Sequence, residues 1–224
     1  MMTNLFSTFD PSTSMNYSMN WMSTLLMILL MPYSFWMLPN RIMILFNMVT
    51  LKLHYEFKML LGKKSEGMTL MMVSLFMFIM INNFMGLMPY IFTSSSHLVF
   101  SMTMALPLWL SMMIFGWFKN TNSMFAHLVP NGTPSILMPF MVMIETISNI
   151  IRPGSLAVRL TANMIAGHLL MSLLGNKAME TINMTLVIII MVQIMLMMFE
   201  TAVAIIQAYV FSVLTTLYSS EVIH

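Results

Sequence analysis

The chain has 224 residues, of which 59% are hydrophobic and 7% charged, with a formal net charge of +2. Soluble domains carry about 25% charged residues, so the composition excludes a soluble enzyme or binding domain. The small, scattered positive charge does not favour nucleic-acid binding. Because the chain has no cysteine, disulfides, thiolate catalysis and cysteine-based metal sites are also excluded. The composition predicts an integral membrane protein made of a single membrane domain, residues 1–224.

The N-terminal segment and the methionine content point to an unusual coding origin. Residues 1–17 carry Asp10 and no basic residue, so they match neither a secretory signal nor an Arg-rich transit peptide. Methionine occurs 34 times and outnumbers leucine. A mitochondrial gene that reads AUA as methionine would explain both the excess and the missing import signal. We therefore expect the chain to be encoded in the organelle.

Two different helices are predicted near the N-terminus. Residues 17–38 are typical of a membrane helix, in which Pro32 predicts a kink. In residues 41–64 apolar positions recur every three or four residues among charged ones, which predicts an amphipathic helix in the membrane interface. A solvated loop is the alternative there. Since five of the nine basic residues lie in this segment, the positive-inside rule places it in the matrix or cytoplasm and the N-terminus on the opposite side.

The middle of the chain predicts a transmembrane hairpin. Its helices are expected at residues 69–92 and 98–118, joined by a polar turn at residues 93–97. A polar loop at residues 119–134 then lies on the same side of the membrane as the basic segment. His127 in this loop is expected to be exposed to solvent.

Two long apolar segments complete the chain, at residues 137–174 and 182–218, separated by residues 175–180. Fully helical segments of this size are about 55 Å long, well beyond the hydrocarbon core of about 30 Å. Strong tilt is one way to accommodate that excess. The sequence thus predicts an all-α, polytopic membrane protein. Its elements are a membrane helix at 17–38, an interfacial amphipathic helix at 41–64, an upright transmembrane hairpin at 69–118 and a long, strongly tilted hairpin at 137–218.

Arg159 is the most informative residue, because it lies within the first long apolar segment. An arginine at membrane depth costs at least about 2.5–3.5 kcal/mol, so it normally has a carboxylate partner. The nearest acids in sequence, Glu145 and Glu180, are 14 and 21 residues away. We therefore expect its partner to belong to another subunit.

Helical geometry relates the other polar residues to Arg159. Asn163 and Arg152 fall on the Arg159 face of an ideal helix, as does Glu145 if the helix continues past Pro153. His168 points to the opposite side, about 13 Å along the axis. In the second long segment three polar residues spaced by seven form a stripe, which we expect to pack against the His168 face. They are Gln193, Glu200 and Gln207.

Several of these residues also have simpler interpretations. Interhelical hydrogen bonding is the preferred interpretation for Asn82, Asn83 and Gln193. Arg152 is either a charge at a helix break or part of the polar face, and His168 is either a relay or a merely satisfied polar group. The sequence has no nucleotide-binding, nucleophile or metal motif. We expect ion movement rather than covalent chemistry, with no cofactor and no bound metal.

Five segments of the chain have a distinctive sequence. They are residues 82–90 (NNFMGLMPY), 126–134 (AHLVPNGTP), 145–154 (ETISNIIRPG), 159–168 (RLTANMIAGH) and 206–211 (IQAYVF). These segments resemble subunit a of the F-type ATP synthase, in its mitochondrial, insect-like form. The resemblance covers nearly the whole chain, and its Arg159 segment is highly specific.

The resemblance implies a proton-translocating stator that wraps two tilted helices around a ring of c subunits. It implies that Arg159 faces each ring carboxylate, with Asn163 and Gln207 nearby. His168 and Glu200 match positions in the half-channel from the intermembrane space, and Glu145 matches a position toward the matrix half-channel. It also implies contacts with lipid and with other membrane-sector and peripheral-stalk subunits. The location implied is the mitochondrial inner membrane, with the N-terminus in the intermembrane space and nucleotide chemistry left to other subunits.

Two alternatives to a proton-channel stator belong to other functional classes. A free-standing ion-coupled transporter would use Arg159 to bind an anionic substrate, but the chain is short and lacks inverted repeats. A purely structural subunit of a respiratory complex would leave Arg159 and Glu200 unexplained. Co-purification with a ring of carboxylate-bearing subunits distinguishes both from a proton-channel stator.

Overall fold

The computed structural model describes residues 4–14, 17–32, 36–62, 67–129, 134, 136–181 and 184–223. The helices in chain order are α1 (Leu26–Leu30), α2 (Arg41–Leu61), α3 (Met68–Gly86), α4 (Leu98–Lys119), α5 (Thr121–Leu128), α6 (Met138–Glu180) and α7 (Met184–Ile223). Short 3-10 helices occur at Leu5–Phe9, Met19–Leu25 and Ser94–Ser96. Within the described residues four helices, α3, α4, α6 and α7, are long and apolar enough to cross a membrane. The predicted all-α, polytopic fold is confirmed, whereas the tilt of the two long helices stays a prediction.

Some predicted features lie outside the described residues. They include Lys63 and Lys64 at the end of the amphipathic segment, residues 130–133 of the AHLVPNGTP motif, and Ile182 at the expected start of the last helix.

The first predicted helix, residues 17–38, takes a shorter form in the structure. A 3-10 helix at Met19–Leu25 continues directly into α1, which ends at Leu30. Pro32 follows, and it has no backbone N–H with which to extend the helix. The combined segment is shorter than the roughly 17–25 residues that span a bilayer. A membrane crossing by residues 17–38 therefore stays a prediction.

Helix α2 forms over Arg41–Leu61, where the sequence predicted an amphipathic helix. It ends at Gly62, whose φ of 72° is readily adopted only by glycine. Leu53, Phe57 and Leu61 are buried on one side, where the helix packs against α3 and α7. Part of the apolar stripe therefore contacts the protein itself.

The central hairpin differs in detail from the prediction. Helix α3 ends at Gly86 rather than at residue 92, shortly before Pro89. The connection to α4 contains the 3-10 helix Ser94–Ser96, whose three serines are buried. Part of the predicted loop at 119–134 is helical, since α5 occupies Thr121–Leu128. His127 is exposed there, as predicted.

The two long helices are continuous. Helix α6 passes through Pro153 without ending, and it includes residues 175–180, which we expected to form a connecting loop. At about 1.5 Å per residue, α6 and α7 are about 65 and 60 Å long. Glu145, Arg152 and Arg159 therefore belong to one helix.

Helix α7 packs closely against α3 through small residues. Ala204 and Ala208 are fully buried, and the Asn83 side chain donates a hydrogen bond to the Ala204 carbonyl oxygen at 3.5 Å. Asn83 is thus an interhelical hydrogen-bonding residue, as predicted. Asn82 differs, because its amide donates to the Phe78 carbonyl oxygen of its own helix at 3.0 Å. Small side chains let the two backbones approach, and this contact fixes the position of α7.

We predict that Ala204→Leu destabilises the bundle, because extra methylene groups in a packed interface typically cost about 1–3 kcal/mol. Unfolding of the chain in mixed detergent micelles, followed by circular dichroism, measures the change. Ala202→Leu is the matched control, since Ala202 is exposed on the same helix. Equal unfolding free energies for the two variants would contradict the assigned packing.

Candidate functional site

Arg159 lies on the outer face of α6. Its side chain is exposed, and it forms no ion pair or hydrogen bond with any described residue. Asn163, one turn further along, is exposed on the same face, together with Ala162 and Ala166. Small neighbours of this kind let another helix approach the guanidinium closely.

The opposite side of α6 explains why Arg159 points outward. Leu156, Ala157, Leu160 and Met164 are buried in the bundle, where α6 packs against α4 and α7. Their three- and four-residue spacing defines one apolar stripe of the helix. Burial of that stripe leaves the Arg159 face uncovered by the part of the chain that the structure describes. The expectation that its partner belongs to another subunit agrees with this geometry.

A cavity of about 940 Å³ opens beside the second half of α6. We call it the His168 cavity, because His168 lines it together with Glu200 and Gln193 of α7. The predicted packing of the α7 polar stripe against the His168 side of α6 is seen for Glu200, which lies against Gly167. Gln193 lines the same cavity, and its contact with α6 stays a prediction. The wall is otherwise built from the end of α3, the segment that follows it and the N-terminal segment.

Two buried polar atoms face this region. Neither His168 Nε2 nor Glu200 Oε1 has a hydrogen-bond partner among the described residues. Buried polar groups in proteins are nearly always satisfied, and where protein partners are lacking, water supplies the bonds. A histidine and a carboxyl group on one cavity wall can pass protons through intervening water, because each can both bind and release a proton.

Gly167 allows Glu200 to sit against α6. A Cβ atom built at Gly167 would lie 2.7 Å from Glu200 Oε1 and 2.8 Å from Cδ, distances that real Cβ atoms essentially never show. The glycine before His168 therefore leaves space for the carboxyl group. As a result, His168 and Glu200 are brought to one wall although 32 residues separate them in sequence.

The N-terminal segment forms another wall of the His168 cavity, which sequence patterns did not indicate. The ring of Phe9 meets His168 edge-on with centroids 6.4 Å apart. His97 Nε2 donates a hydrogen bond to the Phe9 carbonyl oxygen at 2.9 Å. The ring of His97 also stacks on Phe92, with centroids 5.2 Å apart. The buried connection between α3 and α4 thus positions the N-terminal segment.

A second cavity, of about 610 Å³, lies at the other end of the helical hairpin. We call it the Glu145 cavity; Glu145, Arg152 and Glu221 line it with residues of α4 and α5. Arg152 donates hydrogen bonds to Glu145 at 3.3 Å and to Glu221 at 2.8 Å. The guanidinium also lies 4.9 Å from the centroid of the Tyr218 ring. Arg152 is therefore an ion-pairing residue of this cavity rather than a charge at a helix break.

Glu221 is the charged residue that sequence reasoning missed. It is 69 residues from Arg152 and near the C-terminus, where no motif singled it out. The signal available was the length of the two antiparallel helices, which places the end of α7 beside the start of α6. Exposed His127 also lines this cavity.

The predicted residues therefore fall into three groups along α6. Glu145 and Arg152 lie toward one end, Arg159 and Asn163 follow, and His168 lies beyond them. At about 1.5 Å per residue, Arg159 is about 21 Å from Glu145 and about 13 Å from His168 along the axis. Gln207 is half-buried on α7 and lines neither cavity. Arg159 also lines neither cavity. Along the axis of α6 its charged side chain therefore lies between the residues that line the two cavities.

Comparisons with known proteins all identify the same family. Residues 17–220 match the family described as ATP synthase A chain. The sequence is 64% identical to ATP synthase subunit a of Anopheles quadrimaculatus over 225 residues. It is 61% identical to that of Locusta migratoria over 224 residues and 60% identical to that of Drosophila melanogaster over 223. Each match covers 99% of this chain and 100% of the relative.

We predict that Arg152→Gln destabilises the folded chain, because it leaves Glu145 and Glu221 side by side without a cation. Partly exposed ion pairs contribute about 0.2–1 kcal/mol each, so a loss of about 1–2 kcal/mol is expected for the two pairs with the ring contact. Unfolding in micelles at low and high salt measures it. Lys177→Gln is the control, since its pair with Glu180 is 71% and 68% exposed. An equally small loss in both variants would show that the Arg152 cluster does not hold α6 and α7 together.

Proposed function

The chain belongs to the ATP synthase A chain family, and on that basis we propose that its two cavities are offset proton half-channels that meet a ring of c subunits at Arg159. It is a proton-translocating, non-catalytic subunit of the membrane sector of F-type ATP synthase. It is a multi-pass protein of the mitochondrial inner membrane.

The observation that carries the proposal is the position of Arg159 between the two cavities, with its side chain exposed and unpaired within the described residues. Arginine stays charged at any relevant pH, so it attracts an ionised carboxylate but does not itself relay a proton. A ring carboxylate that reaches Arg159 is held in its ionised form. The same charge repels protons, which prevents a direct leak from one cavity to the other.

The His168 cavity serves as the entry half-channel in this proposal. His168 and Glu200 present unpaired polar atoms on its wall, and Gln193 adds a further hydrogen-bonding group. Protons from the intermembrane space pass through waters held by these groups and protonate a ring carboxylate. This direction places the N-terminus in the intermembrane space, in keeping with the basic residues of α2 on the matrix side. Organelle encoding, suggested by the methionine excess, is part of the same proposal.

The Glu145 cavity serves as the exit half-channel. Its carboxylates accept protons from the ring after rotation and release them to the matrix. Arg152 holds Glu145 and Glu221 together and offsets part of their mutual repulsion. Exposed His127 lies at the same cavity, where the chain meets the aqueous phase.

Rotation of the ring links the two half-channels, since they open on opposite sides and are separated by Arg159. A proton that falls through 100 mV releases about 2.3 kcal/mol, so several must cross for each ATP. Asn163 and Gln207 lie near the contact with the ring and orient its carboxylate by hydrogen bonding. Other membrane-sector and peripheral-stalk subunits hold this chain against the turning ring, and nucleotides bind elsewhere in the complex.

We predict that Arg159→Gln abolishes ATP-driven proton pumping while the complex still assembles, because the neutral side chain no longer holds the ring carboxylate ionised. Arg159→Lys is expected to fail as well, since a desolvated ammonium loses its proton and lacks the planar guanidinium. Acidification of inner-membrane vesicles, measured with a pH-sensitive dye after assembly is checked, tests both variants.

Lys177→Gln is the matched control, because it removes a basic residue of the same helix that lines neither cavity. Coupled pumping at the wild-type rate in Arg159→Gln would contradict the proposal and favour a packing role. If the chain alone took up an anionic substrate and Arg159→Gln abolished that uptake, the free-standing ion-coupled transporter would be favoured instead.

We predict that Gly167→Ala slows proton flow several-fold, because the added methyl group displaces the Glu200 carboxyl from the cavity wall. Gly175→Ala is the control, since nothing lies within 4 Å of a Cβ at that position. Alanine favours helix by up to about 1 kcal/mol over glycine, so neither variant is expected to lose helix. Passive proton flux through membrane sectors stripped of their catalytic part measures the effect. Equal fluxes in the two variants would show that the placement of Glu200 against Gly167 does not matter.

A further inference from the structure

Asp10 occupies a distinctive position at the His168 cavity. It lines the cavity, and its side chain is exposed. The titratable residues that line this cavity within the described part of the chain are Asp10, Tyr90, His168 and Glu200. Glu200 and His168 are the inner pair, with one buried atom each, whereas Asp10 is open to solvent. An exposed carboxylate therefore lines the same cavity as two partly buried titratable groups.

Local contacts hold Asp10 in place. The backbone N–H and the hydroxyl of Ser12 both donate to Asp10 Oδ1, at 3.0 and 2.8 Å. The Asn20 amide donates to the Asp10 carbonyl oxygen at 3.4 Å. The preceding residue, Phe9, is fixed by the hydrogen bond from His97. Asp10 is thus part of an ordered wall.

The charge of Asp10 is isolated. No other charged side chain occurs in the first 40 residues of the sequence. Hydrogen bonds from the Ser12 backbone and hydroxyl hold the pKa of Asp10 below its ordinary value, so the carboxylate is ionised throughout the neutral range. Glu180, which follows the half of α6 that lines this cavity, is paired with Lys177 at 2.9 Å. Among the described residues that line this cavity, Asp10 is therefore the solvent-exposed carboxylate, and it has no ion-pair partner.

We infer that Asp10 is a proton-steering residue, whose carboxylate raises the local proton concentration at the mouth of the His168 cavity. This inference rests on the proposed entry half-channel. At about pH 8 protons are near 10⁻⁸ M, so encounters at a diffusion limit of about 10⁹–10¹⁰ M⁻¹s⁻¹ reach one site only about 10–100 times per second. A cleft lined by charges of one sign raises association rates by about 10- to 1,000-fold, and the lower end of that range is expected for one carboxylate. Proton supply to His168 and Glu200 is thus the step that Asp10 accelerates.

The test is Asp10→Asn in the assembled complex in vesicles. The asparagine oxygen still accepts both Ser12 hydrogen bonds, so the turn is kept and the charge alone is lost. ATP synthesis is measured at constant membrane potential while the pH on the N-terminal side is varied. We expect a rate up to about tenfold below wild type at alkaline pH and low salt. The two rates should converge at acidic pH. They should also converge at about 1 M salt, where the screening length is about 3 Å.

Two further variants isolate the charge. Asp10→Glu keeps it and should retain most of the alkaline rate. Glu180→Gln removes an exposed carboxylate after the His168 part of α6 without touching the cavity wall, and should leave the pH profile unchanged.

Three results would overturn the inference. The first is that Asp10→Asn and wild type have the same dependence of the synthesis rate on pH and salt. The second is that Glu180→Gln lowers the alkaline rate as much as Asp10→Asn does. The third is that the Asp10→Asn complex fails to assemble, which would make Asp10 a structural residue.

Arg159→Gln in the same preparation separates this inference from the proposed function. If Arg159→Gln blocks synthesis while Asp10→Asn changes nothing, only the steering role fails. If Arg159→Gln synthesises normally, the half-channel proposal fails first.

Discussion

The charge of Arg159 at membrane depth is the constraint on which the rest of the structure depends. Placing an arginine there costs at least about 2.5–3.5 kcal/mol unless an opposite charge or water compensates. No described residue pairs with it. The other charges of α6 are treated differently, because Arg152 has two carboxylate partners and Lys177 has one. Among the described basic residues of α6, Arg159 is therefore the one that has no carboxylate partner.

The length of the two long helices places this charge between the His168 cavity and the Glu145 cavity. An upright span of about 20 residues would end near the membrane surfaces, whereas α6 and α7 each continue for about 40 residues. Their extra length lets one pair of helices contribute to both cavities. Small residues allow these helices to pack closely. Ala204 and Ala208 are buried where α7 packs in the bundle, and Gly167 leaves space for the Glu200 carboxyl group. Proton-exchanging groups are consequently found at either end, with Arg159 between them.

Much of this arrangement was accessible from the sequence, for identifiable reasons. Apolar length predicted five membrane helices, and four of them, α3, α4, α6 and α7, are long and apolar enough to span a membrane in the described part of the chain. Helical spacing placed Arg159 and Asn163 on one face and His168 on another. Helix ends were less predictable. Pro153 is buried within α6 and does not interrupt it, and membrane helices tolerate proline where neighbouring groups satisfy the freed backbone. The pairing of Arg152 with Glu221 and the contact of Phe9 with His168 join distant segments. Such contacts depend on how helices pack, which one sequence's local pattern does not encode.

The measurement that most directly tests the account is disulfide cross-linking between this chain and the ring. The chain has no cysteine, so one introduced at exposed Ala162, beside Arg159, is unique. The second cysteine is introduced in the ring subunit, next to its carboxylate. Ile114→Cys is the control, because Ile114 is exposed on α4. The account predicts an efficient cross-link from Ala162→Cys and none from Ile114→Cys. A cross-link only from the α4 position would mean that Arg159 does not face the ring.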